Sequence, residues 1–257
     1  MKKTMIALVI GFTALGSGLS QAKEVKICTD NNRWYPFTWA VDNTALGVHV
    51  EVVQQAMKNL GHSATFTPMG WNECLEAAKA GKFDAVVSAS YKPERAEFLH
   101  YPADAATAGG KSKWRITEVE YVFLSNAKDK YSFEGDVKTL PKPVYGPQGY
   151  SVVDDLKKDG VAVETAKGDQ VNIEKLMSQG KGIVITISTI AHNYSMDPKY
   201  KDKLRAHGKP YVSKSYFMPF SKKGSVDAAT YEAIWKEIAR LREDSIYMVK
   251  MFSKYQG

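Results

Sequence analysis

ATFTPMGWNECLEAAKAGKFDAVVSASYKPER, residues 64–95, decides the fold. ATFTP (64–68) reads as a strand, NECLEAAKA (72–80) as a helix closed by Gly81, and the apolar run DAVVS (84–88) as a second strand. Upstream, EVKICT (24–29) is another buried strand. VHVEVVQQAMKNL (48–60) follows it, with Val48, Val52, Val53, Ala56, Met57 and Leu60 at helical spacing before Gly61. The order strand, helix, strand, helix, strand predicts a parallel sheet with right-handed crossovers, an α/β architecture. Ligands of such sheets bind beyond the carboxyl ends of the strands. That rim is reached at Asp30–Phe37, Met69–Cys74 and Ser88–Arg95.

The pattern breaks at PADAATAGGKSKW (102–114), small and flexible residues expected to lead to a domain crossing. A second unit follows. Strands are predicted at 120–125, 143–146, 161–165 and 182–188, and helices at SVVDDLKK (151–158) and QVNIEKLMSQG (170–180). After turn-rich and strand-like pieces, Ala229, Ile234, Ile238, Leu241, Ile246, Met248 and Phe252 offer apolar faces for one or two closing helices.

The chain opens MKKTMIALVIGFTALGSGLSQA, with Lys2 and Lys3 ahead of an apolar run of about twelve residues and small residues at Ser20 and Ala22. Residues 1–22 are therefore expected to be a cleavable secretory signal, and the exported chain to begin near Lys23. Lysines 2 and 3 account for part of the formal charge of +7. The remaining lysines are dispersed, without the concentrated basic stripe that nucleic-acid binding requires. Cys28 and Cys74 are the two cysteines. Export favours a disulfide between them over two buried thiols. Two cysteines do not make a structural zinc site, and the five histidines are not at ligand spacings near them, so no metal and no cofactor is expected.

Three sets of residues carry candidate chemistry. DNNRWYPFTW holds Trp34, Tyr35, Phe37 and Trp39; each favours core packing, and Trp34, nearest the strand end, is the best candidate for a stacking wall. Ser88, Ser90 and Arg95 suit an anion, because a guanidinium fork matches a carboxylate and hydroxyls add neutral donors. The competing role for Arg95 is a surface pair with Glu94 or Glu97. Among acids near the predicted cleft, Asp30, Glu94 and Asp154 show no defensible catalytic pattern, so no catalytic residue is expected.

These segments resemble the extracellular solute-binding proteins of family 3, the two-lobed proteins that serve polar amino-acid ABC transporters. The likeness is carried by WYPF (34–37), by LGHSATFTPMGWNECLEAAKAGKFDAVVSASYKPERAEFLHY (60–101), by PQGYSVVDDL (147–156) and by IWKEIARLRED (234–244). The resemblance implies the class II periplasmic binding-protein fold. Each lobe would be a mostly parallel sheet flanked by helices, lobe 1 from residues 23–113 plus 209–257 and lobe 2 from 114–208, joined by two crossing strands. It implies a cleft that closes by hinge motion. Arg95 would hold a ligand carboxylate with Ser88 and Ser90 beside it, Tyr150 and Ser151 would add a contact at a helix N-terminus, and Trp34 would form the wall.

One position departs from the pattern. Family members that bind amino acids carry an aspartate for the ligand ammonium at the end of the late strand, and GIVITISTIAH (182–192) places Ser188 there. A serine does not neutralise a buried cation. Asp30 is left to supply the charge, or the ligand lacks the ammonium. The cysteine-bearing motif ICTD, WNEC, ASYKPERAEF is also similar to a branch of stand-alone periplasmic proteins and sensor modules, in which Trp71 is expected to pack at its helix start. The expectation is a monomeric periplasmic protein that binds a small solute for an inner-membrane ABC permease. A ligand sensor for a membrane partner is the alternative, and a dehydratase similar to cyclohexadienyl dehydratase is a distant third.

Overall fold

A computed structural model describes residues 22–255; the expected signal segment, apart from Ala22, lies outside them. In chain order the elements are β1 (Glu24–Asp30), β2 (Trp39–Val41), β3 (Thr44–Leu46), α1 (Val48–Asn59), β4 (Ser63–Met69), α2 (Trp71–Lys79), β5 (Ala85–Val86), β6 (Ala89–Ser90), α3 (Pro93–Ala96) and β7 (Leu99–His100). There follow β8 (Thr117–Asn126), β9 (Val144–Pro147), α4 (Ser151–Lys158), β10 (Val163–Ala166), α5 (Gly168–Gln179), β11 (Ile183–Ile187), α6 (Ser188–Met196), β12 (Leu204–Ala206), β13 (Val212–Phe217), β14 (Phe220–Ser221), α7 (Ala228–Glu243) and α8 (Ser245–Ser253).

These elements form the two-lobed α/β fold. One sheet has the order β4-β1-β5-β14-β7, and the other β10-β9-β11-β8-β13-β6 with β12 beside β8. The sheets are mixed. Parallel pairing holds for β1 with β4 and β5, and for β9 with β10 and β11. β14 and the long strands β8 and β13 run antiparallel to their neighbours. The reason lies in the crossings: the chain leaves the first sheet into β8 and returns along β13, so strands of opposite direction must enter each sheet.

Alternation in β1 sorts its side chains between two packed layers. Val25 and Ile27 pack with Val52, Val53 and Met57 of α1 and with Ile234 and Ile238 of α7. Cys28 faces the other way, toward Cys74 and Ala78 of α2. Burying each of those aliphatic chains contributes roughly 1.5–3 kcal/mol. Asp227 caps α7 by accepting a 2.9 Å bond from the Thr230 amide. In the second lobe Ile183, Val184, Ile185 and Ile187 are wholly buried. Helices α4 and α5 supply Val152, Val153, Leu156, Ile173 and Leu176 to the same core.

Cys28 and Cys74 form a disulfide with a Cα–Cα separation of 5.6 Å. It ties the end of β1 to the first turn of α2, and so fixes two of the loops at the strand ends relative to each other.

Candidate functional site

Loops from the carboxyl ends of β1, β4 and β5 meet the second lobe around a small cavity of about 20 Å³, the room of about one water. Its lining includes Asp30, Trp34, Ser88, Ser90, Arg95, Tyr150 and Ser151 from the sequence-predicted set, together with Thr38, Trp71 and Tyr216. Ser188 is elsewhere: it opens α6, half-buried, and lines neither this cavity nor the larger one at the cleft mouth.

Arg95 sits on the short helix α3, whose first turn is set by Pro93. Its side chain is 4% exposed and pairs with neither Glu94 nor Glu97. Nη1 donates to the Ser90 carbonyl at 2.9 Å and Nη2 to the Gly149 carbonyl of the other lobe at 3.1 Å, while the guanidinium lies 5.1 Å from the Trp71 ring centroid. Trp71 Nε1 donates to that same Gly149 oxygen at 3.2 Å. Trp71 therefore packs at the start of α2 and also forms a wall of the cavity. Gly149 has φ +78°, and a Cβ there would stand 2.1 Å from Asn72 Oδ1. Only glycine permits this approach between lobes.

Further contacts cross the cleft. Ser90 Oγ and Ser151 Oγ are 2.7 Å apart, Tyr150 Oη donates to Asp30 Oδ2 at 2.7 Å, and Lys92 pairs with Asp154. From the crossing strand, Lys214 Nζ donates to Ser151 Oγ at 3.1 Å and pairs with Asp155. β6, which carries Ser90, is itself hydrogen-bonded to β13 through Ser90 and Tyr216. The Ser90 hydroxyl is thus mounted beside a crossing strand.

Ser88 occupies a left-handed backbone conformation, φ 67°, between β5 and β6. That conformation costs roughly 1–3 kcal/mol in a non-glycine residue. It is held by His49 of α1, whose Nδ1 is 2.7 Å from Ser88 Oγ and whose Nε2 is 2.6 Å from Thr117 Oγ1 at the start of β8. Burial pushes the imidazole down to about 3, so it is neutral and bonds both hydroxyls, donating from one nitrogen and accepting at the other. No sequence motif marked His49. A histidine on an otherwise apolar helix face is the one trace it left.

The aromatic loop divides as its packing demands. Trp34 faces the cavity, with ring centroids 4.7 Å from Tyr216 and 6.5 Å from Tyr150. Phe37 turns to His49 and Phe252, and Trp39 packs on Tyr35 and Tyr255. Backbone bonds between Trp34 and Thr38 in both directions close the loop on itself.

Two buried carboxylates stand at this cleft. Burial raises Asp30 above the ordinary range, against the pull of bonds from the Asn32 amide and Tyr150. Asp169, the second residue of α5, is pushed up to about 7 by burial, with the charge of Asp30 adding to the effect. Sequence reasoning missed Asp169 because nothing in GDQVNIEK distinguishes it from an ordinary first-turn acid.

Residues 25–249 match the family described as bacterial extracellular solute-binding proteins, family 3. The chain belongs to that family. No curated sequence matches this solute-binding protein, but many solved structures share its fold. A histidine kinase sensor domain with similarity to periplasmic binding proteins superposes with a TM-score of 0.73 at 16% identity, covering 91% of this chain and 96% of that one. An arginine third transport system periplasmic binding protein from Legionella pneumophila gives 0.71 at 17% identity, with 91% and 100% covered. An ancestral arginine-binding protein bound to glutamine gives 0.69 at 19%, with 91% and 98% covered. At these identities the likeness speaks for the fold. No helix among the described residues is long and apolar enough to cross a membrane.

Proposed function

We propose that this solute-binding protein captures a small carboxylate-bearing solute, an amino acid or a related compound, between its lobes in the periplasm. The lobes are taken as residues 23–113 with 209–257 and residues 114–208. One observation carries the reading. Arg95 is a buried guanidinium whose hydrogen-bond partners among the described residues are carbonyls and a hydroxyl, with no carboxylate, and it is walled by Trp34, Trp71, Tyr150 and Tyr216. A carboxylate is the partner that satisfies its charge as well as its donors. With a cavity of about 20 Å³, entry requires the lobes to part and the Arg95 bond to Gly149 to be exchanged for one to the ligand. The lobes then close on the solute by a hinge motion, with Ser90, Ser151, Tyr150 and Asp30 facing it in place of one another.

Binding rather than catalysis is the role we assign, in keeping with the solute-binding family to which the chain belongs. Delivery to an inner-membrane ABC permease is the first reading of the partner, and the chain acts as a monomer. The second reading, a ligand sensor for a membrane signalling protein, is favoured by the likeness to a histidine kinase sensor domain. A permease gene or a sensor gene beside the coding sequence separates the two. The site is tested by a thermal-shift screen of organic acids and amino acids, because a solute that binds only the folded state raises its melting temperature. Arg95→Ala is expected to lose the shift of every carboxylate hit while remaining folded. An undiminished shift in that variant removes Arg95 from the site.

A further inference from the structure

Among the described residues, three aspartates are buried, and two of them have their oxygens occupied. Asp84 accepts from the Lys26 amide, the Ser225 amide and the Ser225 hydroxyl, and Asp30 from Asn32 and Tyr150. Asp169 differs. It is 4% exposed and no hydrogen bond of good geometry reaches its Oδ1; the Thr186 hydroxyl, close enough to pull the carboxyl down against the effect of burial, is a neutral donor beside it and brings no positive charge. No lysine or arginine of the described residues forms an ion pair with Asp169 or Asp30.

Asp169 lies at the floor of a second cavity, about 260 Å³, at the mouth of the cleft. Arg33 and Tyr35 reach it from the first lobe, and Tyr194, Asp197, Lys199 and Tyr200 from the second. The two cations among these are exposed rim residues already over tyrosine rings, Arg33 over Tyr35 and Lys199 over Tyr200. An unpaired buried carboxylate is costly. It either keeps its proton or receives a cation, and Asp30 close by strengthens the demand for positive charge. A cation arriving in this cavity meets the Asp169 carboxylate, with Tyr194 among the lining residues.

We infer that the mouth cavity is a cation subsite, in which Asp169 accepts hydrogen bonds from a ligand ammonium that Ser188 is not placed to neutralise. The solute is then an amine-bearing acid held at both ends, its carboxylate at Arg95 and its ammonium at Asp169. The carboxylate end rests on the function proposed above; the ammonium end rests on Asp169 alone. Binding an ammonium converts the protonated carboxyl to a carboxylate, and the proton leaves to solvent.

The test uses the mature chain with L-lysine, L-ornithine, L-arginine, cadaverine and ethanolamine as amine probes, and hexanoate as the amine-free acid. At least one amine probe is expected to raise the melting temperature, and Asp169→Asn to weaken its affinity at least tenfold. Calorimetry at pH 7 in phosphate and in Tris should show proton release on binding that is lost in Asp169→Asn. The other groups facing Asp169 are Asp30, Tyr121, Tyr150, Tyr194 and Tyr216, with Arg33, Asp197 and Lys199 around the cavity. The tyrosines are held above their ordinary values and release no proton at pH 7. No shift with any amine probe, unchanged affinity in Asp169→Asn, or heats independent of buffer would each overturn the inference. If Asp169→Asn does not fold, the wild-type buffer dependence decides alone. Arg95-dependent binding of hexanoate without amine binding refutes this subsite and leaves the carboxylate site standing; the reverse pattern does the opposite.

Discussion

Replacing Asp169 by asparagine should stabilise the protein, and only above about pH 4, with the full gain reached near neutrality. The side chain is buried and held at about 7 against 3.8 in an unfolded chain, chiefly by loss of solvation. For a carboxyl raised in the folded state, the stabilising contribution is complete below 3.8 and is lost as pH rises through about 7. A tenfold change in proton affinity is worth about 1.4 kcal/mol, so the folded wild type forfeits roughly 4 kcal/mol between those limits. Asparagine has nearly the same shape and no charge to desolvate. The variant should match wild type near pH 4, gain about 1.4 kcal/mol per pH unit thereafter, and stand roughly 4 kcal/mol above it at pH 8. Urea unfolding of both chains at pH 4.5, 6 and 8 measures this, with unchanged m-values as the sign that the unfolded states are comparable. His49 titrates in both chains and cancels in the difference. A gain equal at all three pH values, or a loss at pH 8, would refute the reasoning that burial of charge dominates this residue.

His49 acts with the opposite sign. Its folded value, about 3, is depressed below 6.5, so the stability it confers is complete above 6.5 and falls by about 1.4 kcal/mol per pH unit on acidification. His49→Asn should flatten the acid limb between pH 6 and 4, read by denaturant melts; an unaltered limb would count against it. Cys28→Ser with Cys74→Ser opens a loop of 46 residues and should cost about 4 kcal/mol by chain entropy, measured as a drop in the urea midpoint. Tyr150→Phe removes the bond that crosses the cleft to Asp30 and leaves that buried carboxylate short of a donor, at about 1–3 kcal/mol. Small-angle scattering should then show a larger radius of gyration, since the lost bond joins the lobes.

Much of the fold was legible because the elements that build it are periodic. Val48 to Leu60 could only bury its apolar face as a helix, and the uncharged run 182–188 only as a strand covered on both sides. The hairpin β2–β3 and helix α6 escaped notice for the converse reason. Three-residue strands have no period to read, and α6 buries only Ile190 and Ala191 of its own residues. At the site, the residues that follow strand ends were found, because sheet topology alone sends Asp30, Trp34, Ser90 and Arg95 to one rim. Tyr216 and Thr38 reach that rim from a crossing strand and from a loop closed by backbone bonds, and neither origin leaves a pattern in the sequence.

On the reading proposed above, the carboxylate that meets a ligand ammonium stands on α5, at Asp169, and not at the end of the late strand, at Ser188. At Ser188 the late strand gives way to a helix, and the residue lines neither cavity. Asp169, nineteen positions earlier by the numbering, is brought to the cleft by α5, whose N-terminus favours a negative charge. Its burial works against that charge and leaves Oδ1 without a hydrogen bond of good geometry. A carboxylate so placed lowers stability at neutral pH, and a protein retains such a residue most readily where a ligand supplies the missing cation. On this view the same free energy that destabilises the chain alone is returned on binding. Ligand affinity and the pH-dependent gain of Asp169→Asn should therefore be two measurements of one quantity, and a variant that alters one without the other would separate them.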